Sequence, residues 1–330
     1  MISIVIPVFN EEQSLPILLR EIGEVAVREN FDVEIVFVDD GSDDDSWKVI
    51  EDLARADQRV QGIRLRRNFG KAAALSAGFQ VIRGDFVFTL DADLQDDPAE
   101  IPRFLAALVG RTDVVSGWKR IRHDPWHKVG PSRVFNSMVS YLTGVRLHDH
   151  NCGMKCYRSL VVREIRLYGE LHRFIPVLAA ARGFRVAEIE INHRPRNYGR
   201  SKYGVGRFVK GFLDLLTVKF LTGFGQRPQH LLGTIGLFAF FLGTICLMCM
   251  SGMWMCNRIW GEEMFGPLHT RPLLTYSVAS LLLGAQMLSI GFLAELITAN
   301  TNKSDNSYSV AEHTRRIPPG ERDESLRRSA

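Results

Sequence analysis

Phe86-Val-Phe-Thr-Leu90, followed at once by Asp91-Ala92-Asp93-Leu94-Gln95-Asp96-Asp97-Pro98, is the stretch from which the fold is read. Five β-forming residues in a row describe a strand buried on both faces, the pattern of a mostly parallel sheet. Two carboxylates stand just past its end, and in open α/β sheets the ligand crevice lies outside the carboxyl ends of the strands. Asp91 and Asp93 are two residues apart, so a locally extended chain points both the same way. Like charges that close need a cation between them, and hard divalent cations take carboxylate oxygens and bridge to phosphates. The plainer reading is an acidic loop before a helix, because Asp97-Pro98 has the form of an N-cap followed by proline at the first helical position.

The flanking sequence favours the metal reading. Ile2-Ser-Ile-Val-Ile-Pro7 is a β-branched strand, followed by the turn Val8-Phe9-Asn10-Glu11-Glu12 and a helix from a Ser14 cap to about Asn30. Val33–Val38 is a second strand ending in Asp39-Asp40-Gly41-Ser42, and Gln61–Leu65 a third. Arg67-Asn68-Phe69-Gly70-Lys71 leads into an Ala-rich helix to about Ile82, and a helix from Pro98 to Val109 and a strand over Asp113–Ser116 complete the alternation. Such βα repeats predict a doubly wound, mostly parallel sheet. Asn10 and Glu11, Asp39 and Asp40, and Asp91 and Asp93 then lie at the ends of three strands and converge on one crevice. Gly70-Lys71 lacks the Gly-x-x-x-x-Gly-Lys spacing of a P-loop, and no Gly-x-Gly-x-x-Gly follows the first strand, which argues against a dinucleotide oxidoreductase.

Ile4-Val-Ile-Pro7-Val-Phe-Asn10-Glu11, Val38-Asp-Asp40-Gly-Ser42 and Asp91-Ala-Asp93, in this order and spacing, resemble the successive signatures of family 2 inverting glycosyltransferases of the GT-A fold over roughly residues 1–230. The resemblance implies that Pro7, Val8, Asn10 and Glu11, with Val38, Asp39, Asp40, Lys71, Asp91 and Ala92, hold the nucleotide of a nucleotide sugar. It further implies that Asp91, Asp93 and Gln95 bind Mg2+ or Mn2+ with the diphosphate.

The second half narrows the acceptor. His148, His150, Cys152 and Cys156 have the chemistry of zinc ligands, but their spacing matches no standard template. Asp149 and Gly153 instead resemble the Asp-x-x-x-Gly element of polyisoprenyl-phosphate glycosyltransferases, as do Gly169-Glu170-Leu-His172-Arg173-Phe174-Ile-Pro176 and the stretch Arg194–Gly204. Arg194, Arg196, Arg200 and Lys202 read either as a solvated basic loop or as a phosphate cradle, with Arg133, Lys119 or Arg120 adding charge. The catalytic set expected from these readings is Asp91, Asp93, Arg133, Arg196 and Lys202.

Leu231–Cys256 and Leu273–Ala294 are uncharged runs of spanning length, joined by a short connection to which Trp254 and Trp260 are assigned as an interfacial belt. Arg207, Lys210, Lys219, Arg227 and Lys303 flank them, against Arg258 and Arg271 in the hairpin loop, so the positive-inside rule favours a cytoplasmic catalytic domain, as at a bacterial inner membrane. Residues 205–223 read as an amphipathic helix on the membrane surface or as a helix packed on the domain. The expected division is a catalytic domain over 1–204, an amphipathic segment over 205–229, a two-helix hairpin over 230–300 and a polar, disordered tail over 301–330. Gly233, Gly236, Gly243 and Gly284 offer a small-residue surface for packing against a second copy. The chain has 330 residues, enough for about two domains. Its net charge of +4 is too mild to argue for nucleic acid. Five cysteines form no disulfide framework, which points to a reducing compartment. No signal-peptide pattern precedes the first strand.

The expected reaction moves a sugar, UDP-glucose being the first donor considered, to a polyprenyl phosphate. GDP-mannose, UDP-N-acetylglucosamine and a modified arabinose donor fit the same framework. A processive polysaccharide synthase would carry a Gln-x-x-Arg-Trp element and more membrane helices, neither of which is present. An idle scaffold or sensor of the same fold is separated from the enzyme only by turnover.

Overall fold

Ile2–Val8 (β1) and Val33–Asp39 (β2) pair in parallel from Ile2↔Val33 to Val8↔Asp39, and every residue of β2 is buried. Val60–Arg64 (β3), Phe86–Thr89 (β4), Val114–Trp118 (β5), Lys155–Arg158 (β6) and Val186–Glu190 (β7) complete the sheet. The order is β3-β2-β1-β4-β6-β5-β7. The computed structural model describes residues 1–120, 126–167, 169–192, 194, 206–223, 228–260 and 272–301, in two units, Met1–Thr222 and Gly223–Ala330.

β1 to β4 are parallel, as the sequence predicts. β6 departs from the pattern: it runs antiparallel to both β4 and β5 and separates them. Sequence reading passes over β6 because it has four residues and starts on a lysine. It passes over β7 because every residue of that edge strand is only half-buried.

Helical spacing of Leu15, Leu18, Ile22 and Val25 puts one apolar face of Leu15–Arg28 (α1) on the sheet. Ile50 of Ser46–Ala56 (α2) and Phe104 of Ile101–Ala107 (α4) join the same layer, against Ile4, Ile6, Phe37 and Phe88. Lys71–Val81 (α3) covers the other face, where Ala72, Ala74 and Leu75 meet Val5, Val36, Val38 and Tyr157. Gly78 allows this approach, since a Cβ there would overlap Val5. Ser14 does not cap α1 through its side chain; its hydroxyl donates to Glu11 O at 2.9 Å instead. Asp97 is a true cap, accepting from Ala99 N at 2.9 Å at the start of the turn Pro98–Glu100.

Trp126–Thr143 (α5) and Gly206–Gly223 (α8) meet over a third cluster, in which Phe135 and Val139 pack with Phe174, Leu215 and Val218. Ser159–Glu164 (α6) and Ile175–Ala181 (α7) lie between them in the chain. α8 thus has a face set on the domain, while Phe212, Leu213, Leu216 and Phe220 stay exposed. The tail beyond residue 301 lies outside the described residues.

The second unit is a hairpin of Pro228–Trp260 (α9) and Pro272–Thr301 (α10). Its apolar spans, Gln229–Trp260 and Pro272–Ile297, have 32 and 26 residues, more than the roughly 20 that cross a hydrocarbon core. Only 11% and 17% of their apolar windows are buried, so these are not core helices of a water-soluble domain. A Cβ at Gly236 would sit 2.9 Å from Gly284 O, and one at Gly243 would sit 2.6 Å from Leu281 N. Ser280 Oγ donates to Ala239 O across the same contact at 2.8 Å. Gly236, Gly243 and Gly284 therefore serve the packing of α9 on α10 within one chain. Gly284→Val is expected to destabilise the hairpin by about 1–3 kcal/mol through overpacking. Thermal unfolding in detergent measures this, and an unchanged melting temperature would show that the close approach is dispensable.

Candidate active site

The turns after β1 and β2 are fastened to each other. Asn10 takes a left-handed conformation (φ 58), which Asn tolerates well. Its N–H donates to Ser42 Oγ at 3.0 Å, and its Oδ1 accepts from Asp43 N at 2.9 Å. Glu11 N donates to Ser46 Oγ at 2.9 Å. Pro7 and Val8 pair with Val38 and Asp39 below this platform. Both oxygens of Asp40 are taken by backbone: Phe69 N at 2.7 Å and Gly70 N at 2.9 Å. Burial raises the Asp40 pKa against the pull of those two donors. Asp40 thus shapes the loop that delivers Lys71. Asp39 keeps a different reserve. Its Oδ1 accepts from Ser42 N at 3.1 Å, while its buried Oδ2 has no hydrogen bond among the described residues and meets Arg64 Nε at 3.5 Å.

Asp91 lies at the centre. Burial opposes its charge, but the Lys71 ammonium hydrogen-bonded to it, with Lys119 and Lys155 beyond, prevails and holds the carboxyl at about 2. The Asp91 carboxylate rests on Gly153, where an added Cβ would fall 2.5 Å from Oδ2. Thr89 Oγ1 fixes that glycine by donating to Gly153 O at 2.9 Å. This explains the glycine of the Asp-x-x-x-Gly element, because any side chain there would displace Asp91. Asp93 is 8% exposed, with Oδ1 accepting from Gln95 N at 3.3 Å, and Ala92 is buried. Leu94, between Asp93 and Gln95, is left-handed (φ 60), a conformation that costs a non-glycine residue about 1–3 kcal/mol and clusters at ligand sites. Two carboxylates and an amide oxygen are hard donors suited to Mg2+ or Mn2+, which take one or two protein carboxylates and complete their shell with phosphate and water. Among the described residues no group of three or more His, Cys, Asp or Glu side chains is arranged to hold a metal alone, so the diphosphate would be part of the shell.

Several basic residues turn out to brace this loop. Lys119 Nζ meets the buried Asp96 at 2.8 Å. Burial disfavours the Lys119 charge, but Asp96 more than offsets it and keeps the lysine protonated. Arg194 meets Glu21 and Asp97, both at 2.8 Å, and its N–H donates to Gln95 O at 3.0 Å. Arg120 pairs with Glu190 at 3.3 Å. Lys119, Arg120 and Arg194, read from sequence as phosphate binders, thus have carboxylate partners in the fold. Arg133 is exposed on α5 and has no ion pair among the described residues, and Arg196 and Lys202 lie outside the described residues. Of the zinc-type side chains, His148 stacks on Trp118 at 4.2 Å and bonds Glu188, His150 meets Ser140 Oγ at 3.1 Å, and Cys152 and Cys156 are buried.

Beneath Asp91 the floor is made by Lys71, Thr89, Asn151, Lys155, Tyr157 and His172. Lys155 escaped sequence reading; a lysine inside the apolar run Met154-Lys-Cys-Tyr157 was the available signal. Burial, with Lys71 and Arg173 nearby, lowers His172 to about 2, which makes it a poor base. Glu170, the carboxylate closest to it in sequence, pairs with Arg173 at 3.2 Å. Burial likewise lowers His150 to about 4, with Lys155 adding to the effect.

Both histidines titrate near 6.5 in the unfolded chain, which therefore binds more protons than the folded chain below that pH. Stability is complete above about pH 6.5 and falls as the pH drops, by about 1.4 kcal/mol per pH unit for each histidine. Melting temperature from pH 7.5 to 5 tests this. His172→Gln should flatten the slope, and parallel curves for variant and parent would refute the assignment.

The family profile described as "Glycosyl transferase family 2" matches residues 3–165. The dodecaprenyl-phosphate galacturonate synthase of Rhizobium johnstonii is 35% identical over 311 residues, covering 93% of this chain and 90% of its own. The chain belongs to glycosyl transferase family 2. It falls in the polyprenyl-phosphate sugar transferase group of that family: the undecaprenyl-phosphate 4-deoxy-4-formamido-L-arabinose transferase of Shewanella sediminis is 37% identical, covering 90% of this chain and 86% of its own. The GT-A fold also appears in glucosyl-3-phosphoglycerate synthase of Mycobacterium tuberculosis, at a TM-score of 0.53 and 18% identity over 66% of this chain and 78% of that one. In this family-2 transferase the strand-end carboxylates therefore stand in a glycosyltransferase fold, with a membrane hairpin following the catalytic unit.

Proposed function

We propose that this transferase moves a sugar from a nucleoside diphosphate to the phosphate of a membrane-held polyprenol, with inversion at the anomeric carbon. The observation that carries the reading is Asp91, seated on Gly153 and paired with Lys71 at the carboxyl end of β4, in a chain that continues into a membrane hairpin. The relatives named above act on polyprenyl phosphates, which supports the acceptor.

Asp91, Asp93 and Gln95 would hold a divalent cation, which when bound neutralises charge on the departing diphosphate. Lys71, bonded to Asp91, is proposed to meet a diphosphate oxygen. A phosphate oxygen of the lipid attacks the anomeric carbon, and the bond to the diphosphate breaks with its electron pair leaving on oxygen. A lipid phosphate is ionised at neutral pH, so no proton need be removed. The site agrees, since His172 is held far below the range of a working base and Glu170 is engaged by Arg173. Arg133, Arg196 and Lys202 are proposed to face the acceptor phosphate.

The Oδ2 of Asp39, buried and without a hydrogen bond among the described residues, suits the ring N–H of a pyrimidine base, so the donor is read as a UDP-sugar. The M. tuberculosis neighbour, solved with Mn2+ and UDP-glucose, supports a UDP donor and a divalent cation. The sugars in the relatives' names are galacturonate and formamido-arabinose rather than glucose, so a modified sugar is the proposed cargo. The catalytic unit is proposed to face the cytoplasm, where nucleotide sugars are made. The test is transfer from radiolabelled UDP-sugars to undecaprenyl phosphate in detergent, with Mg2+ or Mn2+ and with chelator. Chelator-sensitive labelling of the lipid is the expected result; absence of labelling from every donor, with folded protein, would refute the reaction.

A further inference from the structure

Lys155 is 3% exposed, and its ammonium is bonded to one group, the Cys152 carbonyl. Among the described residues no carboxylate lies within ion-pair distance of it. Burial disfavours its charge, and the carboxylates acting on it, Asp91 and Asp149, stand beyond ion-pair distance, Asp91 being paired with Lys71. Cys152 supplies no charge either, because burial raises its thiol to about 12. A buried cation without a counter-ion is strongly unfavourable, and natural folds supply a partner for it. Among the described residues Lys155 has no such paired partner, and Asp91 and Asp149 act on it only from beyond ion-pair distance.

The position of Lys155 limits what the partner is. It pairs across the sheet with Thr89, two residues before Asp91, and it follows Gly153, on which Asp91 rests, by two residues. Lys155 lines a small cavity with Asn151, Tyr157 and His172, and with two further cations, Lys71 and Arg173, which already have carboxylate partners in Asp91 and Glu170. The space left is near that of one water, so an entering group must be small and must displace it. A phosphate with its prenyl chain is too large for that enclosure, and so is a whole sugar ring, so only a substituent of a few atoms can enter. The group next to the diphosphate on the donor is the sugar ring.

We propose that Lys155 receives the carboxylate of a hexuronic acid on the donor, and so selects a uronate over the corresponding neutral sugar. This rests on the transferase reading above and names its substrate class. His172, neutral and with a buried Nδ1 that has no hydrogen bond, lies on the same cavity wall to meet a ring hydroxyl. Lys155 is thus a specificity residue, and the charge it lacks arrives with the substrate.

The experiment compares UDP-galacturonate with UDP-galactose for the full-length protein and for Lys155→Met, as kcat/KM for lipid labelling and as affinity by competition against labelled UDP. The parent should favour the uronate, and Lys155→Met should reduce that preference about ten- to a hundredfold, the weight of a hydrogen bond to a charged group. Without ligand, Lys155→Met should melt no lower than the parent, because removing an unpaired buried charge relieves the fold. No uronate preference in the parent, or an unchanged preference in the variant, overturns the proposal. A loss equal for both donors, with a raised KM for undecaprenyl phosphate, also overturns it and gives Lys155 to the acceptor. If no sugar is transferred at all, the transferase reading fails, while the competition assay still reports whether Lys155 discriminates the two donors.

Discussion

Asp91→Asn should lower the rate of sugar transfer at least a hundredfold while leaving the protein folded. The substitution keeps the shape of the side chain and removes only its charge. That charge is the counter-ion of Lys71 and the first of the two carboxylates offered to a divalent cation. Losing one preorganised electrostatic contact at a site of developing charge costs about a hundred- to a thousandfold in rate. Chelator should slow the parent to a similar extent and slow Asp91→Asn little further. Asp97→Asn is the control, because Asp97 caps a turn and braces Arg194 without facing the crevice. Initial rates across a Mg2+ or Mn2+ titration, with a melting curve for each variant, provide the measurement. A rate for Asp91→Asn within tenfold of the parent would remove Asp91 from the chemistry.

Gly153→Ala is the second large effect. The new methyl would lie 2.5 Å from Asp91 Oδ2 and 2.6 Å from its Cγ, closer than non-bonded carbon and oxygen atoms approach. Gly153 O is tied to Thr89 Oγ1, so the backbone cannot easily yield, and Asp91 must swing off Lys71. A rate loss approaching that of Asp91→Asn is expected, with a much smaller change in melting temperature. The sharper test is the double variant. If Gly153 acts through Asp91, adding Gly153→Ala to Asp91→Asn should cost little more, a strong departure from additivity. Independent, multiplying losses would mean that Gly153 serves some other contact.

The parts of this architecture legible in the sequence are those set by local pattern. β1, β2 and β4 are buried on both faces, so their apolar runs stand out, and the acidic residues that end them mark the crevice directly. β6 and β7 lack that signature. The partners of the basic residues were illegible for a different reason. Lys119 finds Asp96, 23 positions earlier, and Arg194 finds Glu21 across 173 positions. No spacing rule separates a lysine that will meet a phosphate from one that will meet a distant carboxylate. Asp40 is a similar case: its place at a strand end suggested a ligand contact, whereas its oxygens hold the backbone of Phe69 and Gly70. Lys155 shows the reverse, a charge in an apolar strand that is buried with no carboxylate at ion-pair distance among the described residues.

The antiparallel β6 also has a consequence for how the protein is made. β4 and β5 are separated by it, so until residues 155–158 enter, both strands present open edges with unpaired backbone groups. Phe86 waits for Arg158, and Val114 waits for Tyr157 and then for Val186. Closure of the sheet is therefore a late, non-local event, of the kind that slows folding and leaves strand edges exposed to other chains. Asp91 obtains its seat on Gly153 in the same event. A nascent chain ending after β5 would carry the acidic loop without the floor beneath it, and competence for the donor would arrive only once the sheet is closed.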